Sequence, residues 1–158
     1  MPSTGFTRFN TVESFSGITQ SEAESLRATA AGGSQYSGAA DMSTVTDQVA
    51  LSGITHSVPS NATVVGIEMR IAVRAQSATN CSFQLTPTLF ESSGTTSGTT
   101  STVFPASSSS GGTFHNTTGS STSMHNLSVT GAQVDDIGLV IRTASNSAGV
   151  QLRMMGHD

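Results

Sequence analysis

The stretch from Ala62 to Arg74, ATVVGIEMRIAVR, alternates apolar and polar residues almost without a break. Val65, Ile67, Met69, Ile71 and Val73 fall on one side, and Gly66, Glu68, Arg70, Ala72 and Arg74 on the other. A period of two sends successive side chains to opposite faces of a strand, so one face is buried and one is wet. No other segment is both as long and as regular. It predicts the central strand of an antiparallel sheet, roughly 40 Å long at about 3.3 Å per residue. Pro59, Ser60 and Asn61 supply the turn that starts it.

Other segments predict further strands. Val49–Ile54 reads as one, running through Pro59 into the central strand. Cys81–Phe90 alternates again, through Phe83, Leu85 and Leu89, and pairs with the central strand as a hairpin. Pro87 within it argues for an edge position or a bulge, because proline cannot donate to a ladder. Met124–Thr130 suggests a short strand with Leu127 and Val129 inward. Val134–Arg142 and Val150–Met154 read as a closing hairpin. Thr19–Ala31 is the one helix candidate; Ser21 can cap it, Glu22 and Glu24 suit its N-terminal dipole, and its few apolar residues make it a short surface turn. Glu91–Ser123 is nearly low complexity and reads as long loops, with Val103, Phe104 and Phe114 marking at most short strands. Many strands with little helix predict an all-β chain, an antiparallel β-sandwich or jelly roll with an N-terminal arm (1–17), one domain (18–158) and long Ser/Thr/Gly-rich loops.

Composition narrows the function. Charged residues make up only 10% of the 158-residue chain, lysine is absent, and roughly a third is Ser plus Thr. Sparse charge and many hydroxyls fit a β-protein with long polar loops, and equally a surface that works against other protein, where charges are costly to desolvate. The net charge of −4 and six scattered arginines offer no stripe for nucleic acid. One cysteine, Cys81, excludes an internal disulfide. The start MPSTGFTRF has no signal-type apolar run, and no window reaches the 18 or so apolar residues of a spanning helix, so synthesis in the cytoplasm and no membrane partner are expected.

Residues 1–17 carry Phe6, Phe9 and Phe15 in a polar context with Arg8. Exposed phenylalanines need a surface to dock on. The stretch is read as an arm packing on a neighbouring subunit, with a short edge strand folded onto its own domain as the other reading. Arg70, Arg74, Arg142 and Arg153 occupy wet-face strand positions, either as solubilising, edge-protecting charges or as partners for carboxylates of another subunit.

No catalytic or metal-binding set emerges. His56, His115, His125 and His157 lack the spacing of a zinc site, and Asp135–Asp136 reads as a turn pair. Glu68 beside Arg70 reads as a same-face ion pair. There is no GxSxG, phosphate-binding glycine loop or HExxH. Neither enzyme activity nor a cofactor is expected. The sequons at Asn61, Asn80, Asn116 and Asn126 follow from abundant Ser and Thr.

The text from Leu51 to Arg74 resembles a pattern of phage virion proteins, in which Val58-Pro59, Ala62, Val64 and Gly66-Ile67 match. Downstream, Asp136-Ile137-Gly138-Leu139-Val140-Ile141-Arg142 is similar to a later strand of that family, with Ile137 in place of its aromatic. The likeness covers about half the chain. It implies a jelly-roll-like sandwich on a phage particle, of the head decoration (cement) type, and brings no catalytic residues. The expectations that follow are a structural virion protein on the outer capsid surface, a homo-oligomer, in the first instance a trimer, and the major capsid protein as partner. Phe6, Arg8, Phe9 and Phe15 are the candidate contacts. The alternative is a tail or fibre component whose 91–123 loops bind a carbohydrate or receptor; a chain with no Trp and one Tyr, Tyr36, has few aromatic faces for sugars to stack on.

Overall fold

The computed structural model describes residues 9–27, 40–56, 58–75, 81–104, 113–120, 122–146 and 152–157, and for 72–75, 113–119 and 152–157 the backbone alone. Along these residues run β1 (Thr11–Ser16), α1 (Gln20–Arg27), β2 (Ala40–Asp41), β3 (Gln48–Ser52), β4 (Glu68–Ala75), β5 (Ser82–Glu91), β6 (Gly94–Ser97), β7 (Ser101–Val103), β8 (Thr113–Gly119), a 3-10 turn (Gly131–Asp136), β9 (Ile137–Ser145) and β10 (Leu152–His157). The strands form two antiparallel sheets. One has the order β1-β3-β9-β5-β6, with β7 also pairing β5; the other is β2-β10-β4-β8.

Both sheets feed one core. Phe83, Leu85, Leu139 and Ile141 of the larger sheet are fully buried, as is Ile71 of the smaller one, and Met69 beside it is nearly so. Each such side chain stabilises the fold by about 1.5–3 kcal/mol relative to exposure. The chain is therefore an all-β antiparallel sandwich, as its alternation predicts.

The organising strand is shorter than its sequence pattern. β4 begins at Glu68, and the run from 62 to 67 is irregular apart from one bridge, Thr63 to Thr130. Within that run Val64 and Ile67 pack against the core while Val65 is exposed, so the period of two slips by one residue. The cause is a competing partner: the Ile67 N–H donates to the Ser123 carbonyl (2.8 Å) and the Gly131 N–H to the Ala62 carbonyl (3.1 Å). From Glu68 onward the segment is an interior strand between β8 and β10.

Both expected hairpins are corrected. β4 and β5 lie in different sheets, and so do β9 and β10. Alternation tells which face of a strand is buried, but a short connection serves a crossing between sheets as readily as a turn within one. Pro87 is not on an edge: β5 has β9 on one side and β6 with β7 on the other. The Pro87 carbonyl accepts from the Gly98 N–H (2.8 Å), so its missing N–H faces the connection between β6 and β7 and costs the β9 ladder nothing.

Three further segments differ. The 91–123 stretch, expected as long loops, contains β6 as well as β7 and β8, the last two being short strands at the Val103 and Phe114 marks. Residues 124–130 form no strand, although Leu127 and Val129 are buried as expected. Helix α1 is capped by Thr19, not Ser21. The Glu22 N–H donates to Thr19 Oγ1 (3.3 Å), while Glu22 Oε2 accepts from the Thr19 N–H (2.8 Å) and hydroxyl (2.7 Å), a reciprocal capping box. Ala23 and Leu26 are fully buried, so the helix covers core despite its polar composition.

Residues 11–16 of the stretch expected as an arm are the edge strand β1, paired antiparallel with β3 from Thr11–Ser52 to Ser16–Gln48, with a bulge between Val12 and Ser14. The Ser52 hydroxyl donates to the Glu13 carboxylate across the pair.

Candidate functional site

Of the candidate contact residues, Phe9 is 5% exposed and belongs to the domain's own core, so it has no surface to offer another subunit. Phe15, on β1, is 41% exposed and does. Phe6 and Arg8 lie outside the described residues. Phe104, expected to mark a short strand, lies just past β7 and is 68% exposed.

The arginines do not gather at one place. Arg142 is exposed on β9, opposite Gln48 on one side and Gln84 on the other. Arg70 and Arg74 lie on β4 in the smaller sheet, Arg70 half-buried. Arg153 on β10 is the register partner of both Arg74 and Asp41. The side chains of Arg74 and Arg153 lie outside the described residues.

The polar chemistry falls into two regions. In the first, Asp47 is 4% exposed beneath the turn that leads into β3. Its Oδ2 accepts from the Thr44 N–H (2.8 Å), and its backbone is tied to β9 through Thr143 N–H to the Asp47 carbonyl (2.9 Å). Burial pushes the Asp47 carboxyl above its usual value; the Thr44 hydrogen bond opposes this, and the charges of Asp41 and Glu22 add to it. Gly17, at φ +75°, leaves room for this carboxylate, which a Cβ there would overlap. Glu22 Oε1 accepts from the Asp41 N–H (3.0 Å), joining α1 to β2. Each oxygen with a partner here serves a turn, a cap or a strand end, so the region is framework. Among the described residues, no group of three or more His, Cys, Asp and Glu could hold a metal ion.

The second region is a shallow groove of about 680 Å³ where the β6–β7 connection meets the segment 120–127. Thr99 and Ser101 line one side, and Ser120, Ser123, Met124, His125 and Asn126 the other. The two sides are bonded together: the Thr99 N–H donates to the His125 carbonyl (2.5 Å), and Asn126 Nδ2 donates to Thr99 Oγ1 (2.5 Å). Gly98 allows this approach, since a Cβ there would come within 2.6 Å of the His125 carbonyl oxygen. His125 (φ 48°) and Asn126 (φ 60°) are both left-handed, and the Leu127 N–H closes onto the Met124 carbonyl (2.8 Å). Two positive φ angles under that bond make a type I′ turn. The His125 ring is buried and its Nε2 pairs with the Ile67 carbonyl (3.2 Å). A carbonyl only accepts, so Nε2 carries the proton.

His56 and Asp135 do not line this groove. The His56 N–H donates to Asp135 Oδ1 (2.8 Å), which pins the segment before Pro59 onto the 3-10 turn. The side chains of His115 and His157 lie outside the described residues. Cys81 is a buried thiol, in no disulfide, whose Sγ donates to Asn146 Oδ1 (3.1 Å). Thr99, Ser101, Ser120 and Ser123 fall in the 91–123 stretch that the alternative expectation gives to ligand binding, whereas Met124, His125 and Asn126 lie just beyond it, where the one local clue is His-Asn, with Asn suited to a left-handed turn. No protein family, curated protein or solved structure matches this chain.

Proposed function

We propose that this chain is a structural component of a phage particle, a decoration (cement) protein that sits on the outer capsid surface as a homotrimer and clamps neighbouring major capsid subunits. One observation carries the reading: the two separate stretches that hold the resemblance meet as one unit in the fold. Thr63 bridges Thr130, the Gly131 N–H bonds the Ala62 carbonyl, and a Cβ at Gly131 would overlap the Pro59 carbonyl. The 3-10 turn that receives this segment runs directly into β9, which carries Ile137 to Arg142. The two stretches also meet directly where Leu51 pairs with Leu139, and this proximity is what supports the reading.

Low charge and exposed apolar anchors suit the role. Such a protein stabilises a shell by mass action over many copies, with the energy concentrated in a few buried anchors. Among the described residues, Phe15 and Phe104 are exposed aromatic anchors, and Val45 and Val65 are exposed as well. The test is copy number by quantitative mass spectrometry of purified particles containing the chain. Hundreds of copies are expected, with Phe15→Ser or Phe104→Ser lowering occupancy; a handful of copies, or absence from the particle, refutes the assignment.

A further inference from the structure

We propose that the groove between the β6–β7 connection and the segment 120–127 is a binding site for an uncharged, hydroxyl-rich chain, that is, a neutral oligosaccharide. The inference rests on the groove alone and holds whether or not the chain is a capsid protein.

The lining sets the ligand class. Thr99, Ser101, Ser120 and Ser123 present hydroxyls, and Asn126 an amide. Each hydroxyl both donates and accepts, so such a wall matches ligand hydroxyls in either orientation. Among the described lining residues there is no carboxylate, guanidinium or ammonium group, and the one imidazole, His125, has its Nε2 engaged by the Ile67 carbonyl. A charged ligand would lose water without gaining a counter-charge, which disfavours it. Met124 is half-buried and supplies an apolar contact for the C–H face of a sugar ring.

The groove is also built in advance. The Thr99–His125 and Asn126–Thr99 bonds join its walls, and the Ile67–Ser123 and His125–Ile67 bonds fix the outer wall to the start of β4. Sites ordered before binding avoid the entropy cost of ordering on contact. At about 680 Å³ its volume falls in the range of roughly 300–1,000 Å³ typical of small-ligand sites. With no aromatic platform among the described lining, affinity rests on hydrogen bonds, and dissociation constants of about a millimolar follow for a short oligosaccharide.

The test is an NMR titration of the 15N-labelled full chain with neutral hexasaccharides of glucose, mannose and galactose, alongside oligogalacturonate as the charged control. Saturable shifts centred on the amides of Thr99, Ser101, Ser120 and Ser123 are expected with at least one neutral probe. Ser101→Ala and Ser123→Ala should each weaken that binding about 2- to 10-fold, the worth of one hydrogen bond. Thr95→Ala, on the exposed strand β6 away from the lining, should leave it unchanged. No saturable shift with any neutral probe, shifts centred elsewhere, tighter binding of oligogalacturonate, or indifference to both serine substitutions overturns the proposal.

Discussion

Replacing Gly138 by alanine tests how tightly the centre of the larger sheet is closed. Gly138 lies in β9, opposite Thr88 of β5, and is buried. An added Cβ would overlap the Leu51 carbonyl oxygen on β3 and lie 2.5 Å from Phe90 Cδ2, inside the 3.0 Å that real Cβ atoms essentially never cross. The half-buried Phe90 ring can turn away; the Leu51 carbonyl cannot move without shifting β3 against β9, where Leu51 pairs with Leu139. Overpacking of this kind costs about 1–3 kcal/mol, and a weakened cross-strand hydrogen bond adds about 0.5–1.5 kcal/mol. Alanine's lower chain entropy returns about 0.5–1 kcal/mol. The expected net loss is about 2–3 kcal/mol, or a fall in Tm of roughly 5–10 °C for a chain of this size. Urea unfolding of the purified protein measures it. In the double variant Gly138→Ala/Phe90→Ala the ring contact is gone and the Leu51 contact remains, so the pair should couple by about 0.5 kcal/mol or more. A single variant within about 0.5 kcal/mol of the parent would show that the contact geometry is not what limits this position.

Two further perturbations address the framework around Asp47. Because its carboxyl is raised in the folded state, the fold binds more protons than the unfolded chain from the ordinary aspartate value of about 3.9 upward. This group's contribution to stability therefore falls as pH rises through that window. Asp47→Asn keeps an oxygen for the Thr44 N–H, so its stability relative to the parent should increase between pH 3 and pH 7 in paired urea titrations; a difference that is flat or decreasing refutes the raised carboxyl. Thr19→Ala removes the hydroxyl of the α1 capping box and should cost about 1 kcal/mol, measured by the same titration, while Ser21→Ala, at the cap expected from the sequence, should cost less because no cap depends on it.

What the sequence made legible was burial, and what it hid was pairing. Ile71, Phe83, Leu85, Leu139 and Ile141 are read correctly as core because a period of two marks the inward face whatever the neighbouring strand. Partner choice depends on where the short connections lead, and residue type does not encode that. Hence β4 and β5 look like a hairpin but belong to different sheets. The start of β4 was misplaced for a related reason. Thr63 to Ile67 has strand composition, but Ser123 and Gly131 lie far along the chain, so the bonds that pull this segment off the ladder could not be foreseen. The strands beside the groove were hidden more deeply, since β6 and β7 are short, mostly serine, threonine and glycine, and show no apolar alternation; pairing with β5 is what extends them.

The residues behind the phage likeness have a common trait: those that can be placed do structural work. Pro59 and Ala62 seat against Gly131 of the 3-10 turn, Gly138 admits Phe90 and β3, and Ile137, Leu139 and Ile141 fill the core. A likeness made of such positions speaks to how the sandwich closes, and a partner is recognised elsewhere, on groups that face water. That separates the two questions experimentally. Changes at Gly131 or Gly138 should alter stability first and assembly only through it. Changes at Phe15, Phe104 or the groove serines should alter association or ligand binding at unchanged stability. A Phe15→Ser variant that lost particle binding only in proportion to lost folding would place recognition on some other surface of the sandwich.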